Sequence, residues 1–226
     1  MSLLHVLRVF VGPDGRGGNP LGVFLDGADV PPARRQAVAA ELGFSETVFV
    51  DDRERGAVRI FTPGAELPFA GHPSVGTSWL LRDTGSPITV LRPPAGDVGV
   101  RHDAERTWIR ARAEWVDFFR IEQLQTPADV ETYPQPPMGE PGLYIWAWSD
   151  EAAGIVRSRS FPTDLGIAED EATGIAAVAM GALLGRRLTI RQGVGSEIAV
   201  VPGDDGTVEI GGRVELVETR EFVTGQ

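Results

Sequence analysis

Three side chains able to carry protons stand in distinctive settings: Glu46 in Gly43-Phe-Ser-Glu-Thr-Val-Phe-Val50, His72 in Gly71-His-Pro73, and Asp170 in Glu169-Asp-Glu-Ala-Thr-Gly174. Glu46 falls where a helical pattern gives way to an apolar strand. A carboxylate at such a junction is either solvated or turned into a cleft. Burial would carry its pKa from about 4.3 toward neutrality, as a general base for a carbon acid requires. His72 and Asp170 each stand just ahead of a short apolar helical pattern. A helix start presents unpaired N–H groups and partial positive charge, so it favours a carboxylate. Two such starts facing one another would hold a small carboxylic acid without lysine or metal. Ser74, Asp170 and Thr173 are also expected as N-caps, a role compatible with ligand binding. For His72 the residues alone leave two roles open, a hydrogen-bonded core imidazole or a site residue.

Composition narrows the chemistry. All 21 basic residues of the 226 are arginine, so Schiff bases, pyridoxal phosphate anchoring and a P-loop lysine are excluded. Cysteine is absent, which removes thiol nucleophiles, thiol acid/base pairs and disulfides. His5, His72 and His102 lie far apart and not at ligand spacing, so a zinc site is not expected. A formal charge of −11 repels phosphate backbones and anionic lipid, so neither nucleic acid nor membrane is an expected partner. The apolar start, Leu3 to Val11, is too short to span a bilayer, lacks a leader pattern and alternates like a strand. A cytoplasmic protein is the expectation.

The elements that must position these residues are mostly short strands bounded by Gly, Pro and Asp turns. Three helices stand out: Pro31–Leu42, ended by Gly43, then Ser74–Arg82 and Thr173–Leu184, both nearly uncharged and therefore central. The aromatic run Tyr144 to Trp148 suits either an interface strand or a core strand. An internal repeat runs at an offset of one hundred residues: Arg59-Ile-Phe61 recurs as Arg159-Ser-Phe161, Val75-Gly-Thr77 as Ile175-Ala-Ala177, and Ile88-Thr-Val90 as Leu188-Thr-Ile190. The repeat predicts two related α/β halves about a pseudo-twofold axis. Residues 1–112 would carry Glu46 and the Gly-His-Pro helix start. Residues 113–226 would carry the Asp170 and Thr173-Gly174 start, with the last strands free to return to the first half. The proline-rich stretch from Ala113 to Pro141 reads as an exposed connection between them. No counterpart of the Pro31–Leu42 helix is legible in the second half.

Taken together, the motifs resemble the PhzF-like phenazine-biosynthesis family, relatives of diaminopimelate epimerase in fold. The stretches that carry the resemblance are Gly18-Asn-Pro20, Phe44-Ser-Glu-Thr47, Arg59-Ile-Phe-Thr-Pro63, Glu66 through Pro73, Glu169 through Gly174, and Gln192-Gly193. The resemblance implies an α+β protein of two pseudo-symmetric halves, each a curled mixed sheet around a central helix, with the site between them. It implies a cofactor-independent isomerase or epimerase, the type member of the family acting on trans-2,3-dihydro-3-hydroxyanthranilate. Glu46 would then be the general acid/base, with His72 and Asp170 completing the catalytic set. Asn19, Ser45, Gly71, Pro73, Thr173, Gly174 and Ile175 would bind a small carboxylic acid, and the protein would be a homodimer. Glu171 and Ile175 depart from the family pattern, which has proline and a small residue there.

Two rivals remain: a catalytically silent protein of the same fold that binds a small carboxylate, and a hydrolase using Ser45 or Ser74. The hydrolase lacks a nucleophile elbow and a triad order.

Overall fold

The computed structural model describes residues 2–116 and 120–223. The chain opens with β1 (Ser2–Val11) and β2 (Asn19–Phe24), crosses α1 (Pro32–Leu42), and returns through β3 (Glu46–Asp52), β4 (Ala57–Phe61) and β5 (Glu66–Leu67). Helix α2 (Gly71–Asp83) follows, then β6 (Val90–Leu91), β7 (Val98–His102) and β8 (Thr107–Arg112). The second run has β9 (Arg120–Gln123), α3 (Pro127–Thr132), β10 (Leu143–Asp150), β11 (Ile155–Phe161) and α4 (Gly174–Leu184). It closes with β12 (Leu188–Gln192), β13 (Ser196–Pro202) and β14 (Thr207–Phe222). Strand pairing is mixed along the order β5-β4-β3-β2-β1-β14-β13-β12-β11-β10-β9, with β8, β7 and β6 branching from β14. This is the mixed α/β class the residues imply.

The long strand β14 is the seam. Its first part pairs with β13 and β8, and its continuation pairs antiparallel with β1. Only Val208 to Ile210 reads as a strand in the sequence. In the remainder, residues 215–221 between the buried Val214 and Phe222 form an exposed ribbon with no apolar alternation to mark it.

Helices α2 and α4 pack on one another in the main core, among Leu7, Val9, Leu21, Val75, Leu80, Ala177, Val178 and Ile210. Nearly every α2 side chain through Leu81 is buried. At roughly 1.5–3 kcal/mol for each fully buried Val or Leu, that burial fixes the helix far more firmly than its propensity could. Helix α1 closes a second core with Phe24, Phe49, Phe61 and Phe222, and α3 a third with Leu143, Ile145 and Phe161.

Three expectations need correction. The stretch from Ala113 to Pro141 is not a plain connection, although its residues 117–119 lie outside the described set. It supplies β9 and α3, the latter started by a reciprocal cap between Thr126 and Asp129 and buried through Val130. Thus α3 packs on β10 and β11 as α1 packs on β3 and β4; its six residues are too few for a sequence periodicity to register. The expected caps hold only in part: Thr173 occupies the N-cap position of α4 as expected and Ala70 that of α2, but neither caps its helix through its side chain. Ser74 Oγ instead donates to the Ala70 carbonyl, and Asp170 bonds to other partners. Finally, α2 begins three residues before Ser74, because Gly71, His72 and Pro73 form its first turn, where proline lacks no needed donor. The Tyr144–Trp146 run is a core strand, all three side chains being buried.

Candidate active site

Glu46 is the first residue of β3 and pairs with Leu21 of the parallel neighbour β2. That register sets its side chain beside the first turn of α2, where Oε2 lies 3.5 Å from His72 Nε2. The glutamate side chain is 14 % exposed and the imidazole 3 %. Burial first, then the neighbouring charge of Asp170, raises the Glu46 pKa to about 8, against a smaller opposing hydrogen bond from Ser45. Burial lowers His72 to about 3, so the imidazole is neutral at physiological pH. Glu46 Oε2 and His72 Nε2 are both buried and make no hydrogen bond. Such a pair is costly in a core and useful in a site that receives a polar ligand.

Asp170 arrives from the second run. Its backbone N–H donates to the Ser160 carbonyl at 2.9 Å, tying it to the end of β11. Its carboxylate accepts from Asn19 Nδ2 at 2.7 Å and from Thr173 Oγ1 at 2.6 Å. Burial nevertheless holds its pKa above the ordinary aspartate value. Asn19 Nδ2 also donates to the Ala172 carbonyl at 3.0 Å, and Asn19 Oδ1 accepts from Ser45 Oγ at 3.1 Å. A buried polar network therefore bridges β2 and the approach to α4.

Both helix starts meet here. A Cβ on Gly71 would fall 2.7 Å from Gly174 Cα, and one on Gly174 would fall 2.8 Å from Gly71 Cα, so backbone touches backbone. Around this contact lies a cavity of about 40 Å³ lined by Glu46, Gly71, His72, Asp170, Thr173, Gly174 and Ile175. Leu67, Phe69, Pro162, Leu165 and Ile167 form its apolar wall. Asn19 and Ser45 line an adjoining hollow of about 380 Å³ that shares Ile167 and Asp170 with the cavity. Pro73 is buried within the first turn of α2 and lines neither.

Sequence reasoning misses two contributors. Gln192, at the end of β12, donates to the Asp170 carbonyl at 2.8 Å and to Thr173 Oγ1 at 2.9 Å. The apolar wall from Pro162 to Ile167 is the other. The Gln192-Gly193 motif, already among the stretches that carry the family resemblance, was the available signal for the first; an irregular loop carries none for the second. Among the described residues no three His, Asp or Glu side chains cluster as metal ligands. No helix among them is long and apolar enough to cross a membrane.

The mixed α/β fold brings two helix starts without side-chain caps together beside a glutamate, a histidine and an aspartate. It superposes on the PhzF-family phenazine biosynthesis protein of Bacillus anthracis with a TM-score of 0.79 over 98 % of this chain and 99 % of that one, at 20 % identity. The chain belongs to the PhzC-PhzF family of phenazine biosynthesis-like proteins, whose model matches residues 11–125. It is similar to an uncharacterized isomerase of Mesorhizobium japonicum, 39 % identical over 129 residues, which is 52 % of this chain and 40 % of that protein. It is also similar to the trans-2,3-dihydro-3-hydroxyanthranilate isomerase of Pseudomonas fluorescens, 51 % identical over 67 residues, or 28 % of this chain and 24 % of that enzyme. The matches thus span less than half the length of these curated relatives.

Proposed function

We propose that the protein is a cofactor-independent isomerase or epimerase that moves a proton on a small carboxylic acid, with Glu46 as the general acid/base. The observation that carries this reading is Glu46 itself: a buried carboxyl, raised to about 8, facing a neutral imidazole across 3.5 Å at the junction of two helix starts. Near pH 7 roughly a tenth of such a group is ionised, enough for a base strong in its desolvated setting. The substrate carboxylate is held at the first turns of α2 and α4 by the N–H groups near Gly71 and Gly174. Glu46 then takes the proton from carbon, and the electron pair left behind is delocalised into the adjacent unsaturated system. The protonated Glu46 then returns the proton to another carbon on the same face. His72 and Asp170 orient the polar substituents; neither changes charge in the resting state. A homodimer in the cytoplasm belongs to the same reading.

A second reading is favoured by Ile175, which adds bulk to the cavity wall at the α4 start. On that reading the protein binds a small carboxylate and does not turn it over. Deuterium incorporation separates the two. Protein and a Glu46→Gln variant are incubated in D₂O with cyclic and aliphatic carboxylic acids, including trans-2,3-dihydro-3-hydroxyanthranilate. Carbon-bound exchange that vanishes in the variant supports the isomerase. Equal binding by both proteins with no exchange supports the silent binder.

A further inference from the structure

Glu171 follows Asp170 directly, yet its carboxylate serves another partner. The Val194 amide donates to Oε1 and Oε2 at 3.0 and 3.1 Å, and Ser196 Oγ donates to Oε1 at 2.8 Å. Ser196 Oγ in turn accepts from the Gly18 amide at 2.8 Å. Gly18 is joined to Asn19, whose side chain reaches back to Asp170. The contacts close into a ring through Asp170, Glu171, Ser196, Gly18 and Asn19. The seat for the carboxylate exists because residue 193 has no side chain: a Cβ there would lie 2.1 Å from Glu171 Oε2, on a backbone already at φ 58°. Arg157 Nη2 steadies the same turn by donating to the Gly193 carbonyl at 2.9 Å.

We infer that Glu171 is a positioning residue, holding the Gly18-Asn19 segment so that the Asn19 amide stays on Asp170 across the cleft. A ring of this kind fixes two segments that come from opposite ends of the chain and have no shared helix or hairpin to set their spacing. Its catalytic consequence rests on the isomerase reading; its structural consequence does not.

The test compares Glu171→Ala, Glu171→Gln and Ser196→Ala with the unaltered protein by NMR, following the Asn19 side-chain amide and the titration of the Asp170 carboxyl. Both substitutions at 171 remove the negative charge beside Asp170, while only alanine removes the acceptor. Their difference therefore isolates the hydrogen bonds. Glu171→Ala is expected to displace the Asn19 amide signals and to raise the Asp170 midpoint by about one unit relative to Glu171→Gln, and Ser196→Ala, which keeps the charge, is expected to displace the Asn19 amide signals relative to the unaltered protein. With trans-2,3-dihydro-3-hydroxyanthranilate in D₂O as the probe, kcat falls roughly ten- to a hundredfold in Glu171→Ala with KM little changed, and Glu171→Gln recovers most of the loss. Identical Asn19 and Asp170 signals in the alanine and glutamine variants would overturn the positioning role. Absence of exchange in the unaltered protein would count against the isomerase reading alone, because the NMR comparison decides the positioning role by itself.

Discussion

Gly71 and Gly174 touch through their backbones, with the Cα of each inside the volume that a side chain on the other would need. The contact sets the distance between the two helix starts, and therefore the width of the cavity they border. Gly174→Ala should force the pair apart and destabilise the fold by about 1–3 kcal/mol, the usual cost of overpacking. Urea denaturation of the variant checks this. A loss below the error of the measurement would mean that the helices can separate freely.

The pH dependence of turnover should report Glu46. As a base it works only ionised, so kcat/KM for deuterium exchange should climb with pH and level off near the glutamate pKa of about 8. An ordinary carboxylate would give a profile already flat above about pH 6. A rate–pH series from 5 to 9.5 distinguishes the two.

Stability should carry the same signature with opposing contributions. Glu46 is neutral in the fold up to about pH 8 but ionises from 4.5 in the unfolded chain, so between those values the native state binds more protons and stability falls as pH rises. Asp170, also raised, acts in the same direction from its lower starting value. His72 is lowered from 6.5 to about 3, so the unfolded chain binds more protons in that interval and stability falls as pH drops. Above pH 6.5 the His72 contribution is complete and Glu46 acts against no imidazole. Chemical denaturation between pH 6.5 and 8 should therefore show a decline that Glu46→Gln removes. A slope unchanged in the variant would show that Glu46 is not the group responsible.

Ile175 should limit what enters. The cavity of about 40 Å³ is narrow, and Ile175 forms part of its wall beside Gly174. Ile175→Ala should tighten binding of ring-bearing carboxylic acids severalfold in calorimetry. Its stability cost should be modest, about 1–2 kcal/mol, because the side chain is only partly buried. Unaltered affinity would indicate that the apolar wall around Leu165 and Ile167, and not the α4 start, restricts the cavity.

Much of the fold was legible from one-dimensional pattern. Helices α1, α2 and α4 announce themselves through Pro31, Gly43 and two uncharged apolar runs, and the mixed α/β class follows from their alternation with short strands. Arginines one hundred residues apart even take matching partners, Arg59 on Glu66 and Arg159 on Glu169. What escaped the pattern had no period to show. Helix α3 is too short, and residues 215–221 of β14 lie exposed before the buried Phe222, so neither leaves an apolar alternation.

The candidate site divides in the same way. Residue type alone narrowed the available chemistry: with neither lysine nor cysteine, what remained was carboxylate, hydroxyl, imidazole and backbone amide, while the resemblance to the PhzF-like family singled out Glu46, His72 and Asp170 and local sequence placed them at element boundaries. Only tertiary structure decided that they share one cavity. It did so through a parallel pairing that aligns Glu46 with Leu21, a glycine contact between helices that start one hundred and three residues apart, and a network joining Asn19 to Asp170. It also decided their protonation, because desolvation depends on what the rest of the chain packs around a group, and no neighbour in sequence records that.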